Sequence, residues 1–530
     1  MLCTAFNSLT QAVYTTLKDK GYDPKVLYSV DMDKIVSLNP QMILCPFIKE
    51  YIPSSIYENF PTYILHPGPI GDRGPNAIEH ALQKKEWGVV WIEANGEYDG
   101  GNIYAYAKFT VRNSYKASLY RQEVTKAALE SLHDLFENIK RTRFLRQILN
   151  PIHKKFTQKI RKIDWQKDTT ETIVKKIYQA DSMPGVKDEI LGVECYLFGV
   201  WKEEKLKGKP KQILAKRDGA ICLGTVDGAI WISHLKEPHR FKLPATYVLK
   251  ERLKGIKEDR LPLLFDKSYE SFYETSVEIR DEVAYLCFNF HNGAMSAAQC
   301  VRLRYCVDYL KERCKVLVLV GGRDFFSNGI HLNILEDSKK QGEDGWENIN
   351  AMNDLIRSIL FCDEIVTVAS LAKNAGAGGV FMALACDFVV AKEGVVLNPH
   401  YKTLGLSGSE YHTYTLPKRV GEKRAKELLE ACLPISANKA KEIGMIDELF
   451  GESDYYEMLH KFCLEKYDED FIRDKQEYLE ENEAMIEALK EEELKVMYPE
   501  FWDDDSAFHK LRQEFVYKVC PTKTPERFRG

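Results

Sequence analysis

The chain has 530 residues, 45% hydrophobic and 11% aromatic, enough for about three globular domains with sizeable cores. A net charge of −5 argues against nucleic-acid or anionic-membrane binding as its main task, and no apolar run approaches the roughly 20 residues that a membrane helix needs. Thirteen scattered cysteines without a CxxC pair, and an N-terminus (Met1-Leu2-Cys3-Thr4-Ala5) lacking the basic-then-apolar plan of a signal peptide, lead to the expectation of reduced thiols in a cytoplasmic protein. No HExxH and no paired Cys/His spacing suggests a metal.

Short apolar runs alternate with helical segments over the first 115 residues. Strands are expected at Leu2–Asn7, Val26–Val30, Met42–Phe47, Tyr63–Leu65, Val89–Glu93 and Ile103–Val111, and helices at Leu9–Lys20, Pro53–Asn59 and Pro75–Lys85. The rhythm implies an α/β sheet, parallel at least in its first half. Lys116–Arg146 reads as one long helix, and the basic stretch to about Lys162 as a linker. Next come a helix over Thr170–Ala180 and short β runs at Leu191–Trp201, Ile213–Lys216, Ala220–Thr225 and Ala229–His234, the pattern of a small β-barrel-like domain. Beyond Tyr455 the chain is highly charged, and the run Glu480–Lys495 reads as a solvated helix. The whole is an α/β multidomain protein with expected divisions at 1–150, 151–265, 266–455 and 456–530.

Two regions carry chemistry. In the first, the Tyr63–Leu65 strand runs into His66-Pro67-Gly68-Pro69-Ile70-Gly71-Asp72-Arg73-Gly74-Pro75. A histidine just past a parallel strand lies on the edge where open α/β sheets place ligands. Further on, Tyr98-Asp99-Gly100-Gly101 puts a carboxylate on a turn. Taken singly, the histidine reads as solvated and Asp-Gly-Gly as a hairpin turn.

The second region has two glycine loops. Val316–Val320 reads as a buried strand, followed by Gly321-Gly322 and then Phe326-Ser327-Asn328-Gly329-Ile330. Later Gly376-Ala377-Gly378-Gly379 precedes an apolar helical run ending in Asp387. Bare backbone N–H groups at such turns can hold an anion or a developing oxyanion, and two loops can aim two of them at one carbonyl.

This second region, about residues 272–455, resembles the crotonase (enoyl-CoA hydratase/isomerase) superfamily, with Leu416-Pro417-Lys418-Arg419-Val420-Gly421 and Ala440–Asp447 adding to the likeness. The resemblance implies a crotonase fold, an acyl-CoA ligand, and an oxyanion hole from the N–H groups of Ile330 (next to Gly329) and Gly378. It places the adenine end of CoA near Asn292-Gly293-Ala294-Met295-Ser296. The positions of a hydratase's two glutamates hold Phe381 and Tyr401, so water addition to a double bond is not supported. Tyr401 and Glu410 are the acid/base candidates; their plainer readings are a core aromatic and a loop-surface carboxylate.

Residues 1–255 resemble the formyltransferases that use 10-formyltetrahydrofolate, whose signature is Asn-x-His-Pro-Ser-Leu-Leu-Pro followed by Arg-Gly and a later aspartate. Here Asp99 stands 33 positions after His66 (99 − 66), and Arg73-Gly74 keeps its place. Ile163-Asp164-Trp165 and Pro184-Gly185 match the start of that family's C-terminal domain. The resemblance implies folate binding around Arg73 and Gly74, with His66 as oxyanion donor or acid/base and Asp99 orienting it. The family's catalytic amide, two residues before the histidine, is replaced by Ile64. A thiol acceptor tolerates that loss better than an amine, because thiolates are strong nucleophiles.

A formyltransferase joined to a crotonase resembles the HypX/HoxX family of hydrogenase maturation proteins, and the strings Asn398-Pro399-His400-Tyr401, Gly408-Ser409-Glu410-Tyr411 and Lys523–Arg529 add to that likeness. It implies 10-formyltetrahydrofolate and coenzyme A as cofactors, formyl-CoA as the shared intermediate, carbon monoxide as product, and hydrogenase maturation proteins as recipients. Two other readings stay open: a bifunctional metabolic enzyme with unrelated substrates, and a non-catalytic maturation scaffold.

Overall fold

The structure, a computed structural model, describes residues 1–265, 267–521 and 523–528. Asp266, the expected start of the third domain, and Arg529, in the terminal family string, lie outside them. The chain forms two compact units. One takes residues 1–259, 268–272 and 520–530, and the other takes 260–267 and 273–519.

The first unit opens with a four-stranded sheet in the order Ile43–Cys45, Thr62–His66, Glu86–Glu93, Ile103–Thr110. Its first pair is parallel and the other two are antiparallel. Helices Ser8–Asp19 and Thr125–Lys140 cover one face, where Leu9, Val13, Leu132 and Leu135 pack with Tyr63, Leu65, Val89 and Trp91. Alternation along Thr62–His66 turns Ile64 to the other face, against Val90 and Ile92. His66 shares that parity, so the isoleucine that replaces the family's amide stands on the face of the histidine.

Several expected elements differ. Leu2–Asn7 and Val26–Val30 make only isolated parallel bridges, Leu2 with Leu27 and Cys3 with Phe47. Asn7 is not strand at all: its side chain accepts from Thr10 N–H and caps the first helix. A helix at Met32–Leu38 was not legible. The Pro75–Lys85 helix shrinks to Ala77–Ala81, because Asn76 takes a left-handed φ of 67°. Lys116–Lys140 is helical with a π turn at Tyr120–Val124, but it stops short of Arg146, and Leu145 pairs instead with Ile103. The expected linker contains a helix turn, Gln158–Arg161.

The unit's second sheet is antiparallel throughout, in the order Val186–Ile190, Val193–Glu203, Ala229–Lys236, Ala220–Gly224, Ile213–Arg217, with Lys242–Pro244 also on Ala229–Lys236. Leu191 and Gly192, both at positive φ, form a turn rather than the start of a strand. The terminal segment belongs to this unit: the Phe528 ring lies 4.7 Å from that of Phe6, and Thr524 Oγ1 accepts from Tyr28 N–H at 3.2 Å.

The second unit is built on a six-stranded sheet in the order Thr275–Arg280, Val283–Phe288, Val316–Gly321, Val366–Leu371, Phe388–Lys392, Glu448–Phe450. Only the first pair is antiparallel. The inner strands are buried on both faces and mostly apolar, as parallel strands under helices are. The charged tail forms a 34-residue helix, Glu469–Trp502. It is not simply solvated: Leu479, Ile486, Glu493, Met497 and Phe501 are buried along it.

Candidate functional sites

The first site sits at the end of strand Thr62–His66. His66 is buried, its Nδ1 lies 3.4 Å from Asp99 Oδ1, and its Nε2 lies 2.7 Å from Asp72 Oδ2. Asp99 adopts φ 49°, and its Oδ2 accepts from Gly74 N–H at 3.0 Å. Arg73 clamps the same turn, donating from Nε and Nη2 to the Tyr98 carbonyl at 2.9 and 2.7 Å. His66 and Asp99, paired by the formyltransferase resemblance, therefore meet, and Arg73-Gly74 bonds to the Tyr98-Asp99 turn. Asp72 and His153 also join the group, with His153 Nε2 2.7 Å from Asp72 Oδ1. Neither was anticipated, and His153 comes from the stretch read as a linker.

The second site is formed by the two glycine loops. Met295 N–H donates to the Gly329 carbonyl at 2.8 Å, and His331 N–H donates to the Met295 carbonyl at 3.0 Å. This is a parallel bridge between Met295 and Ile330. Such a bridge uses the amides on either side of the middle residue, so the N–H of Ile330 points away from Met295. Gly378 opens the helix Gly378–Leu384, where a first-turn N–H has no intrahelical partner. The loops touch closely: a Cβ on Gly329 would lie 3.2 Å from Gly378 N, and one on Gly379 would overlap the Ser327 carbonyl. Only glycine permits that approach.

Glu410 lies directly on this loop pair. A Cβ on Gly378 would stand 2.6 Å from Glu410 Oε1. Tyr401 donates its hydroxyl to Glu410 Oε2 at 2.7 Å, and Ser409 N–H reaches the same oxygen at 3.3 Å. Both side chains are buried, so Glu410 is not a surface carboxylate. Burial lifts the Glu410 carboxyl above the usual carboxylate range, against the pull of Tyr401 and Ser409. Burial, then the Glu410 carboxylate, pushes the Tyr401 hydroxyl well above the usual tyrosine range. Phe381 and Tyr401 stack on each other with ring centroids 5.1 Å apart. In the Asn292–Ser296 segment, Asn292 is left-handed and its carbonyl accepts from Asn328 Nδ2 at 2.7 Å. Ala294 directly precedes the Met295 bridge. Ser296 caps helix Ala297–Leu310 in a reciprocal box with Gln299, which occupies its hydroxyl.

A family model described as enoyl-CoA hydratase/isomerase matches residues 289–493, and one described as formyl transferase, C-terminal domain, matches residues 155–252. The hydrogenase maturation factor HoxX of Bradyrhizobium diazoefficiens is 33% identical over 555 residues, taking in 100% of this chain and 96% of its own. The chain belongs to the HypX/HoxX family of hydrogenase maturation factors. The crystal structure of HypX from Aquifex aeolicus in complex with tetrahydrofolic acid superimposes with a TM-score of 0.95 at 42% identity, covering 99% of this chain and 97% of that one. A 4-chlorobenzoyl coenzyme A dehalogenase of an Arthrobacter species is 32% identical over 89 residues, 17% of this chain and 32% of its own. This HypX/HoxX-family chain is thus a hydrogenase maturation factor with formyltransferase and crotonase-like parts, in keeping with an enzyme. Among the described residues, no helix is long and apolar enough to cross a membrane.

One further HypX/HoxX residue shapes the second site. Glu493, from the long C-terminal helix, accepts from Tyr411 N–H at 3.0 Å, Thr413 N–H at 2.7 Å and Thr413 Oγ1 at 2.6 Å. Its Oε1 also lies 3.1 Å from His412 Nδ1. Burial alone would lower the His412 pKa, but the bond to Glu493 and its charge, with the Glu410 charge and the Ser409 carbonyl, together outweigh it and raise the value above 6.5. A raised histidine contributes stability that is fully present below 6.5 and lost as pH rises through the folded value. Glu493→Gln is therefore expected to destabilise the protein by up to about 3–5 kcal/mol, the cost of breaking a buried pair. Chemical denaturation across pH should show the deficit largest in the acidic window and shrinking as His412 loses its proton. A deficit independent of pH would mean that His412 does not share in it.

Proposed function

We propose that the protein makes carbon monoxide in two steps, with 10-formyltetrahydrofolate and CoA as co-substrates. At the first site the CoA thiolate attacks the formyl carbon. The C–N10 bond breaks, His66 gives N10 a proton, and tetrahydrofolate and formyl-CoA result. His66 held by Asp99 on a turn clamped by Arg73 and Gly74 supports this reading. The tetrahydrofolic acid held by the HypX of Aquifex aeolicus agrees with a folate co-substrate.

At the second site formyl-CoA would place its carbonyl oxygen at the N–H groups of Ile330 and Gly378. A formyl thioester has no α-carbon, so an enolate cannot form. What remains is removal of the formyl proton with breakage of the C–S bond, which releases CO and, once the sulfur is protonated, CoA. The observation that carries this step is the buried Glu410–Tyr401 pair lying against Gly378. Burial raises the basicity of Glu410, which suits it to take the proton and return it to the thiolate. Tyr401 orients the carboxylate and fills the place where a hydratase keeps an acid. The segment from Asn292 through Ala294 to Ser296 is assigned to the adenine end of CoA. Proteins that assemble the hydrogenase would receive the CO.

Mixing protein, 10-formyltetrahydrofolate and CoA under reduced haemoglobin tests the whole sequence. The expected result is the CO-haemoglobin spectrum, dependent on both co-substrates. Formyl-CoA without CO would leave the second step unsupported, and CO without CoA would refute the scheme.

A further inference from the structure

The histidine of the first site has a second carboxylate partner that the transfer step above does not use. His66 Nε2 lies 2.7 Å from Asp72 Oδ2, and Asp72 Oδ1 lies 2.7 Å from His153 Nε2. One carboxylate thus joins two imidazoles, each through its own oxygen. The side chains of His66 and Asp72 are 6% and 2% exposed, whereas that of His153 is 36% exposed. The three groups run from the buried site to solvent.

The surrounding backbone is shaped to hold them. A Cβ on Gly68 would overlap Asp72 Oδ2 and come within 2.5 Å of His66 Nε2, so the His66–Asp72 bond fills the space that a side chain would need. His153 N–H donates to the Arg73 carbonyl at 2.9 Å. A Cβ on Gly74 would lie 2.7 Å from Ile152 Cγ2 and 2.9 Å from His153 N. The 150–153 segment therefore presses on a glycine that no other residue could replace without displacing it. A further titratable neighbour is His80, whose ring stacks on His153 with centroids 4.1 Å apart. Burial, then His153, holds the His80 pKa below the usual histidine range, which favours a neutral ring under His153.

Attack by a thiolate on the formyl group leaves N10 in need of a proton that the nucleophile has already lost to bulk water. His66 supplies it and, being buried, needs a route to recover it. We propose that Asp72 and His153 are that route, a proton relay from solvent to His66. A proton leaves His66 Nδ1 for N10. His153 Nε2 then passes one to the Asp72 carboxylate, which hands it on to His66 Nε2, and water refills His153 at Nδ1. Each carrier ends with the proton count it began with. The relay rests on the formyl transfer proposed above; Asp72 and His153 serve through His66 and do not touch substrate.

The test uses the full-length His153→Gln variant, whose amide can still donate to Asp72 but cannot pass a proton on. Its kcat for formyl-CoA formation is expected to fall at least about tenfold, with KM for 10-formyltetrahydrofolate unchanged. Free imidazole should restore the rate in the variant and leave the parent unaffected. A parental kcat, or a loss that imidazole does not repair, overturns the relay. A second measurement needs no turnover: ¹⁵N-histidine NMR of the protein alone reads solvent exchange at the His66 ring. Exchange several-fold slower in His153→Gln supports the relay, and unchanged exchange overturns it. Should the parent form no formyl-CoA at all, the proposed function falls, and the exchange rate still judges the relay.

Discussion

Replacing His66 with alanine is expected to abolish formyl transfer while a folate analogue still binds with near-parental affinity. The substitution removes the imidazole between Asp72 and Asp99, the proposed proton donor, but leaves intact the clamp on the neighbouring turn, made by Arg73 with the Tyr98 carbonyl and by Gly74 with Asp99. Loss of a positioned acid/base group lowers a rate by about 10²–10⁴. Formyl-CoA measured by mass spectrometry should drop by at least that factor, and CO with it. Supplying synthetic formyl-CoA should restore CO release, because the second site is untouched. Undiminished transfer would remove His66 from the mechanism. Failure of formyl-CoA to rescue would mean that the two steps are not separable in this way.

Glu410→Gln should produce the opposite pattern, with formyl-CoA accumulating and CO release reduced by about 10²–10⁴. Glutamine keeps the shape of the side chain and can still meet Tyr401, but it cannot take the formyl proton. Tyr401→Phe should slow the same step less, since it frees one carboxylate oxygen without removing the base. The pH dependence gives a sharper check. The Glu410 carboxyl is raised above 4.5 by burial, so CO release should climb with pH through a value higher than an ordinary glutamate gives. The same shift means that parental stability declines as pH rises from the unfolded value through the folded one. Glu410→Gln should therefore be at least as stable as the parent at neutral pH while inactive. Parental rates of CO release from Glu410→Gln and Tyr401→Phe would exclude the pair.

Features legible in the sequence were those that local geometry forces. Gly378-Gly379 could be found because backbone packs against backbone there, as the Ser327 carbonyl against Gly379 shows. His66 and Asp99 were joined only by the resemblance to the formyltransferases, since a strand-end histidine and an Asp-Gly-Gly turn taken singly read as solvated and as a hairpin. Asp72 sat in the same loop as His66, yet nothing in a run of prolines and glycines says which side chain turns inward. His153 lay in a basic stretch without periodicity, and its place depends on a backbone bond to Arg73 that only the fold supplies. Glu493 carried a readable signal that charge obscured. Leu479, Ile486 and Glu493 fall at seven-residue spacing, two helical turns apart, so the glutamate continues an apolar stripe. A carboxylate in such a stripe indicates a buried partner, here Tyr411, His412 and Thr413.

The loop carrying Glu410 is bonded by residues that are translated much later. Tyr411 and Glu493 are separated by 82 positions, and Ser407 and its acceptor Glu500 by 93. At about 5–20 residues per second, roughly 4–16 s pass between synthesis of the loop and arrival of Glu493. During that interval the glycine loops already exist, but the Glu410 loop lacks the bonds that Glu493 and Glu500 make to it. A nascent or prematurely ended chain would carry the glycine loops without this fastening. The order of synthesis thereby delays completion of the second site until the molecule is nearly whole.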